Sequence, residues 1–403
     1  MELIERKSYT DQILHRLGKG LIIALTGQRR VGKSSILKLI QNTLKQNSNN
    51  NIIYINKDKD EFQSIKDNVS FSNHVAQNLS KDKNNYLLVD EIQNIQSFEL
   101  TLRSLQADNE CDIIITGSNS RILSSELSTY LSGRYIEIHI LSLSYSEFLS
   151  FHNINDSQES ITSYLDLGGL PQLRAIGLND IDFIDSYLQD VCNTVVLKDI
   201  VERYNIRNIT LLNNLIEFIS DNIGKPISAT SIAKYLKSQR IDTTAYGVLN
   251  YISYLCNSFI INKVKRFDIH GKRLFESNEK YYFEDLGLRN CIVKSHHHVR
   301  DIEKLIENAV YLHLRRIGFD VYVGQIRNAE IDFIAQKRSQ TIYIQATYLL
   351  ASEDTIKREF GNLRLIKDNY PKYVISLDNL FDESNDNGII HMNLRKFLQL
   401  SDL

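Results

Sequence analysis

The sequence has no excess of charge of either sign, few cysteines and no long apolar run. Its 403 residues carry 47 Lys and Arg against 49 Asp and Glu, a formal net charge of −2. Overall charge therefore requires neither a nucleic acid nor a membrane surface as partner, although a local basic face stays open. The four cysteines, Cys111, Cys192, Cys256 and Cys291, lie far apart and match no C-x2-C metal spacing. They read as reduced, structural thiols. No apolar stretch approaches the ~20 residues that span a bilayer, and no charged segment followed by an apolar one opens the chain. A cytoplasmic protein without membrane contact is expected. The 42% hydrophobic and 24% charged composition is that of a globular chain. Because single cores stop growing at roughly 250–300 residues, two to four domains are expected.

What is present starts at Leu21–Leu25, an apolar run too short for a helix and typical of a buried parallel strand. It leads into Gly27-Gln28-Arg29-Arg30-Val31-Gly32-Lys33-Ser34-Ser35, and then into Ile36, Leu37, Leu39 and Ile40 at helical period. This is G-x4-G-K-[ST] with a strand before it and a helix after it, the context in which the motif binds phosphate. The glycines let the backbone wrap an anion, the helix N-terminus adds positive potential, Lys33 reaches the β- and γ-phosphates, and the Ser34 hydroxyl serves Mg²⁺. ATP and Mg²⁺ are the implied ligands.

About sixty residues on, Tyr86-Leu-Leu-Val-Asp90-Glu91 reads as a buried strand ending in two acids. Asp90 is expected to hold the Mg²⁺ shell and Glu91 to orient the attacking water, which implies hydrolysis rather than binding alone. Asp112–Thr116 reads as another strand, between the other two, followed by Ser118 and Asn119. These are positioned to bond the γ-phosphate or to cap a helix. Arg134, before the strand Tyr135–Ile140, is a candidate to stabilise transition-state charge, or else a surface ion pair.

The segments TGQRRVGKSS, YLLVDEIQNI, IIITGSNS, LSGRY and LSLSYSEFL together resemble bacterial and archaeal ATPases of the AAA superfamily. The resemblance implies an α/β parallel-sheet P-loop domain over 1–155, a helical and winged helix-turn-helix domain over 156–290, and an endonuclease-like α/β domain over 291–403. It also implies that Ser118 acts as sensor and Arg134 as arginine contact.

Within the middle region, Phe183–Tyr204 reads as an amphipathic helix whose Lys198, Asp199 and Arg203 face solvent. Three helices from Leu211 to Leu255 and two alternating stretches, Phe259–Phe267 and Arg273–Phe283, suggest a winged helix-turn-helix. Lys263, Lys265, Arg266, Lys272 and Arg273 would place positive charge on the wing, favouring DNA. The presumed recognition helix, Thr243–Leu255, has no Lys or Arg and three tyrosines, favouring a lid or protein contact. His296–His298 reads as a loop rather than a metal site. In the last region Glu307, Asp332 and the strand Gln345-Ala-Thr347 take the three motif positions of the endonuclease-like core, with Glu330 as a further carboxylate. Gln345 and Thr347 stand where that core has Glu and Lys, and Lys337 is the nearest amine in the sequence. A core that packs but does not cut is expected. The whole reads as an ATPase that couples nucleotide state to domain rearrangement. An ATP-dependent nucleic-acid-processing enzyme and a slow regulatory switch are the alternatives, and DNA, a protein or a second copy of the chain are the open partners.

Overall fold

The computed structural model describes residues 3–118, 131, 133–294, 301–350, 352–379 and 384–403. The chain divides into two compact units, Met1–Ile140 with Asn257–Phe259, and Leu141–Cys256 with Ile260–Leu403.

The first unit begins with α1 (Lys7–Leu14) and then alternates strand and helix: β1 (Ile22–Thr26), α2 (Lys33–Lys45), β2 (Asn50–Asn56), α3 (Asn68–Asn78), β3 (Asn84–Asp90), α4 (Phe98–Ala107), β4 (Asp112–Thr116) and β5 (Tyr135–His139). All strand pairs are parallel, in the order β2-β3-β4-β1-β5. β1 is buried along its whole length, as its unbroken apolar sequence requires. β4 lies between β1 and β3, so the loop after β1 and the acids after β3 open on the same edge, with Thr116 and Ser118 between them. Ile22, Ala24, Leu87, Val89, Ile113 and Ile115 supply one face of the core, closed by Phe71, Val75 and Leu102 from the helices.

The second unit holds the helices α5 (Tyr145–His152), α6 (Gln158–Leu167), α7 (Ile181–Thr194), α8 (Ile209–Asp221), α9 (Ala229–Ser238) and α10 (Ala245–Asn257). They are followed by the hairpin β6 (Ile261–Asp268) and β7 (Arg273–Phe283), α11 (Leu286–Val293), α12 (Ile302–Arg316), β8 (Asp320–Ile326), β9 (Ala329–Lys337), β10 (Gln340–Ala346), α13 (Glu353–Arg364), β11 (Lys372–Ser376), β12 (Asn385–Asp386) and β13 (Ile389–Asn393). The expected long helix from Phe183 is α7 followed by a π-helical stretch, Val195–Glu202. Within it Lys198 is exposed, but Asp199 is buried and paired with the half-buried Arg203 at 3.4 Å, so these two do not belong to the solvated face the sequence suggested.

Both expected domain boundaries move. Tyr145 and Phe148 pack in the same core as Ile306, Val310 and Phe333, so the second unit begins well before residue 155. The hairpin expected to be a free wing joins the terminal strands, because β6 pairs in parallel with β8 through Arg266↔Val323 and Asp268↔Gln325. One sheet, β12-β13-β11-β10-β9-β8-β6-β7, therefore crosses the boundary expected at 290/291. The hairpin and the terminal strands thus share hydrogen bonds and one apolar core.

Candidate nucleotide site

The loop after β1 bends where side chains would not allow it. Gly27 has φ 138°, and a Cβ there would lie 2.2 Å from the Ile140 carbonyl oxygen. Gly32, at φ 99°, caps α2. Arg30 takes φ 144° despite its side chain, and its N–H bonds the Gln28 carbonyl at 2.8 Å. Val31 is buried and anchors the loop, while Arg30 and Ser35 are exposed. Lys33 is buried, and its ammonium donates to the carbonyls of Gly27 at 2.8 Å and Gln28 at 2.9 Å. Lys33 is thus already held inside the loop that its cation is needed to serve. One further contributor is not evident from the motif. Arg6, 3% exposed, donates to the Val31 carbonyl at 2.8 Å and braces the loop from before α1. Gln28 is buried with neither side-chain polar atom hydrogen-bonded.

At the end of β3, Asp90 is fully buried. The Thr116 hydroxyl donates to Asp90 Oδ1 at 2.6 Å and accepts the Glu91 N–H at 3.0 Å. Asp90 Oδ2 is buried without a hydrogen-bond partner. Burial raises the Asp90 carboxyl above the usual carboxylate range, while the Thr116 and Ser34 hydroxyls and the Lys33 ammonium pull the other way. A buried carboxylate oxygen of this kind, next to the Ser34 hydroxyl, fits a hard divalent cation. Glu91 adopts φ 57°, a left-handed conformation that costs a non-glycine residue about 1–3 kcal/mol. Its Oε2 accepts from the Ser118 hydroxyl at 3.3 Å and from the Gln93 amide. Thr116 and Gln93 therefore position the two acids. Thr116 and Gln93 lie within the segments IIITGSNS and YLLVDEIQNI, but the sequence assigned neither of them a role.

Arg134 is not brought to this site. Its carbonyl accepts the Ile22 N–H at 3.0 Å, and Ile22 pairs with Tyr135. Since β1 and β5 are parallel, Arg134 lies at the edge where β1 begins, roughly 13 Å along the strand from the phosphate loop. It is exposed there. Asn119 and His296–His298 lie outside the described residues. Among the described residues, no group of three or more His, Cys, Asp or Glu side chains is arranged to hold a metal ion. The four thiols are free, and burial pushes Cys111, Cys192 and Cys256 up to about 12 and Cys291 up to about 11.

In the second unit, the expected carboxylates meet a cation from an unexpected element. Lys280, on β7 and 1% exposed, lies 2.8 Å from Glu307 Oε1, 2.8 Å from Glu330 Oε1 and 3.8 Å from Asp332 Oδ1. The Tyr282 hydroxyl, two residues along and on the same face of β7, donates to Glu307 Oε1 at 2.6 Å. Burial alone would lower the Lys280 ammonium, but Glu307, Asp332 and Glu330 more than reverse that and hold it above its usual value. Asp332 is raised well above its ordinary range, by burial first and then by Glu307. Gln345 is spent on neighbours: its oxygen accepts the Asp332 N–H at 2.7 Å and its amide donates to Glu359 at 2.8 Å. Lys337 is engaged elsewhere, with Asp402 at 2.7 Å. Of the wing cations, Lys263 pairs with Glu279, Arg273 with Asp268, and Arg266 bonds Gln325. Much of the positive charge expected to meet phosphates is therefore neutralised or occupied within the sheet.

Residues 19–149 match the AAA domain family, and residues 158–298 match a domain family of unknown function. An uncharacterized protein of Haemophilus influenzae is 33% identical over 395 residues, covering 96% of both chains. One from Methanocaldococcus jannaschii is 28% identical over 375 residues, 89% of this chain and 80% of that one. Among solved structures, the Walker-type ATPase PABY2304 of Pyrococcus abyssi superposes with TM-score 0.50 at 14% identity, over 72% of this chain and 95% of that chain. That likeness concerns the fold.

Proposed function

We propose that this chain, which belongs to one family with the Haemophilus influenzae protein and matches the AAA domain over residues 19–149, hydrolyses ATP with Mg²⁺ and couples nucleotide state to engagement of a partner. The observation that carries this reading is the buried, unpartnered Asp90 Oδ2 beside Ser34, with Lys33 in the loop and Glu91 oriented by Ser118 and Gln93. Ser34 and Asp90 would hold the Mg²⁺, which when bound supplies positive charge at the β- and γ-phosphates. Lys33 exchanges its bonds to the loop carbonyls for the phosphates, and Glu91 orients and polarises the attacking water. Thr116 keeps Asp90 and the Glu91 backbone in register. The test is ATP turnover in Lys33→Ala and Glu91→Gln. Loss of binding in the first and binding without turnover in the second are expected, and unchanged turnover in either overturns the assignment.

For the second unit, the winged reading is retained for α8–α10 and the hairpin, with a protein as the preferred partner. Tyr246 and Leu249 are exposed on α10, which carries no basic residue, while much of the hairpin's charge is internally engaged. Stimulation of turnover by duplex DNA would reverse that preference. The order of α12, β8, β9, β10, α13 and β11, with β10 and β11 parallel, supports an endonuclease-like core. Gln345 and Thr347 argue that it does not cut.

A further inference from the structure

Resting on that reading of the last core as endonuclease-like and non-cutting, we infer that the Lys280 side chain is a tethered cation standing where such a core holds a divalent metal, so that the site is closed to Mg²⁺ and Mn²⁺ while β7 stays in place. Three carboxylates, from α12 and β9, converge on one buried ammonium rather than on open space. Mg²⁺ needs oxygens at about 2.0–2.1 Å in near-octahedral array. A metal placed among these oxygens would sit against the Lys280 nitrogen, charge against charge, in a region shielded from water. The ligand atoms are also committed. Glu307 Oε1 accepts from both Lys280 and Tyr282, Asp332 Oδ2 accepts the Ala346 N–H at 2.9 Å, and both polar ends of Gln345 are in use.

The cation is supplied by the hairpin, not by the core's own third strand. Lys280 pairs with Val264 next to a β-bulge between Val264 and Arg266, and β8 has a second irregularity between Tyr322 and Gly324. Bulges bend and coil a sheet. Asn308 of α12 clamps the same stretch, accepting the Phe283 N–H at 2.8 Å and donating to its carbonyl at 2.9 Å. Lys280 thus enters a cluster whose acids lie on α12 and β9, and opening the site to metal requires loss of Lys280 or withdrawal of β7.

The test titrates Mn²⁺ into the full-length, nucleotide-free, EDTA-stripped chain and counts free Mn²⁺ by electron paramagnetic resonance. Lys280→Met is expected to gain one site bound at least ~10-fold tighter than anything the wild type shows at that place. Lys280→Arg is expected not to gain it, and the double variant Lys280→Met with Asp332→Ala is expected to lose it. Circular dichroism melts establish that each variant is folded. A second comparison needs no disruptive change: Glu330 is 34% exposed, and Glu330→Gln should leave Mn²⁺ binding of the otherwise wild-type chain unaltered. A wild-type site lost in Glu330→Gln, or a folded Lys280→Met that gains none, overturns the inference. Metal-dependent cleavage of duplex DNA by the wild type, abolished by Asp332→Ala, would overturn both the non-cutting reading and the inference, whereas a folded Lys280→Met that gains no site overturns the inference alone.

Discussion

Each unit gathers acids at a sheet, and the two gatherings are finished differently. In the first, Asp90 has one oxygen bonded by Thr116 and the other buried with no partner, beside a serine hydroxyl. In the second, Glu307, Glu330 and Asp332 surround a lysine that their own sheet supplies, and a tyrosine and a backbone amide take further lone pairs. Buried carboxylates are costly unless paired. A site that leaves one unsatisfied is arranged to receive a cation, whereas one that satisfies its acids internally has traded ligand binding for packing. Counting acids does not separate the two; asking what already touches them does.

The largest effects should fall in the first unit. Lys33→Ala is expected to reduce ATP turnover about 10²–10³-fold or more, because the ammonium held by the Gly27 and Gln28 carbonyls is the cation the motif directs to the phosphates. Asp90→Asn should raise the Mg²⁺ concentration needed for half-maximal turnover, while Glu91→Gln keeps nucleotide bound and stops hydrolysis. Similar loss of binding in Asp90→Asn and Glu91→Gln would break the division of roles and with it the contrast between the two acid sites. Thr116→Val should slow turnover with the fold intact, since it frees the Asp90 oxygen and the Glu91 amide at once.

Next in size is stability of the second unit. Removing the ammonium leaves three carboxylates facing one another, and breaking a buried pair costs about 3–5 kcal/mol. Lys280→Met should lower the melting temperature, and Mn²⁺ should restore part of the loss. Glu330→Gln should cost much less, because Glu330 is partly solvated and the lysine keeps Glu307 and Asp332. Equal destabilisation by the two would mean that the lysine is not the centre of the cluster.

The first unit was legible because its signals are local. Five apolar residues, two glycines, Lys33 and the Asp90-Glu91 pair each declare a strand, a turn or a charge within a few positions. Arg134 was misplaced because the sequence gives a strand without its direction in the sheet, and parallel pairing with β1 sends that residue to the opposite edge. In the second unit the core order from α12 to β11 could be read from periodicity, but the β6–β8 pairing spans more than fifty residues and no local pattern encodes it. Lys280 looked like one polar position in an alternating hairpin strand. Its role follows from tertiary closure, which is also why Lys337, nearer in sequence to the core's third strand, was the amine considered first.

The smallest expected effect concerns pH and again separates a group completed within the fold from one that is not. His313, on α12, packs its ring against Phe397 at 4.9 Å, and its Nε2 is buried with no hydrogen-bond partner. Burial, and then the charge of Arg316, push the imidazole from 6.5 down to about 3. The unfolded chain takes up a proton here below pH 6.5 and the folded chain does not, so the unfolded state binds more protons as acid is added. The contribution is fully present above pH 6.5 and is lost as pH falls from 6.5 toward 3, at about 1.4 kcal/mol per pH unit once below the unfolded value. His152, pushed down to about 4 by burial and Arg174, acts in the same direction. Urea unfolding at pH 7.5, 6.0 and 5.0 should therefore show wild-type stability falling with acid more steeply than that of His313→Leu, with the two curves converging or crossing as pH drops. A constant gap between them would mean that His313 is as readily protonated in the folded protein as in water, and that its burial beside Phe397 has no electrostatic consequence.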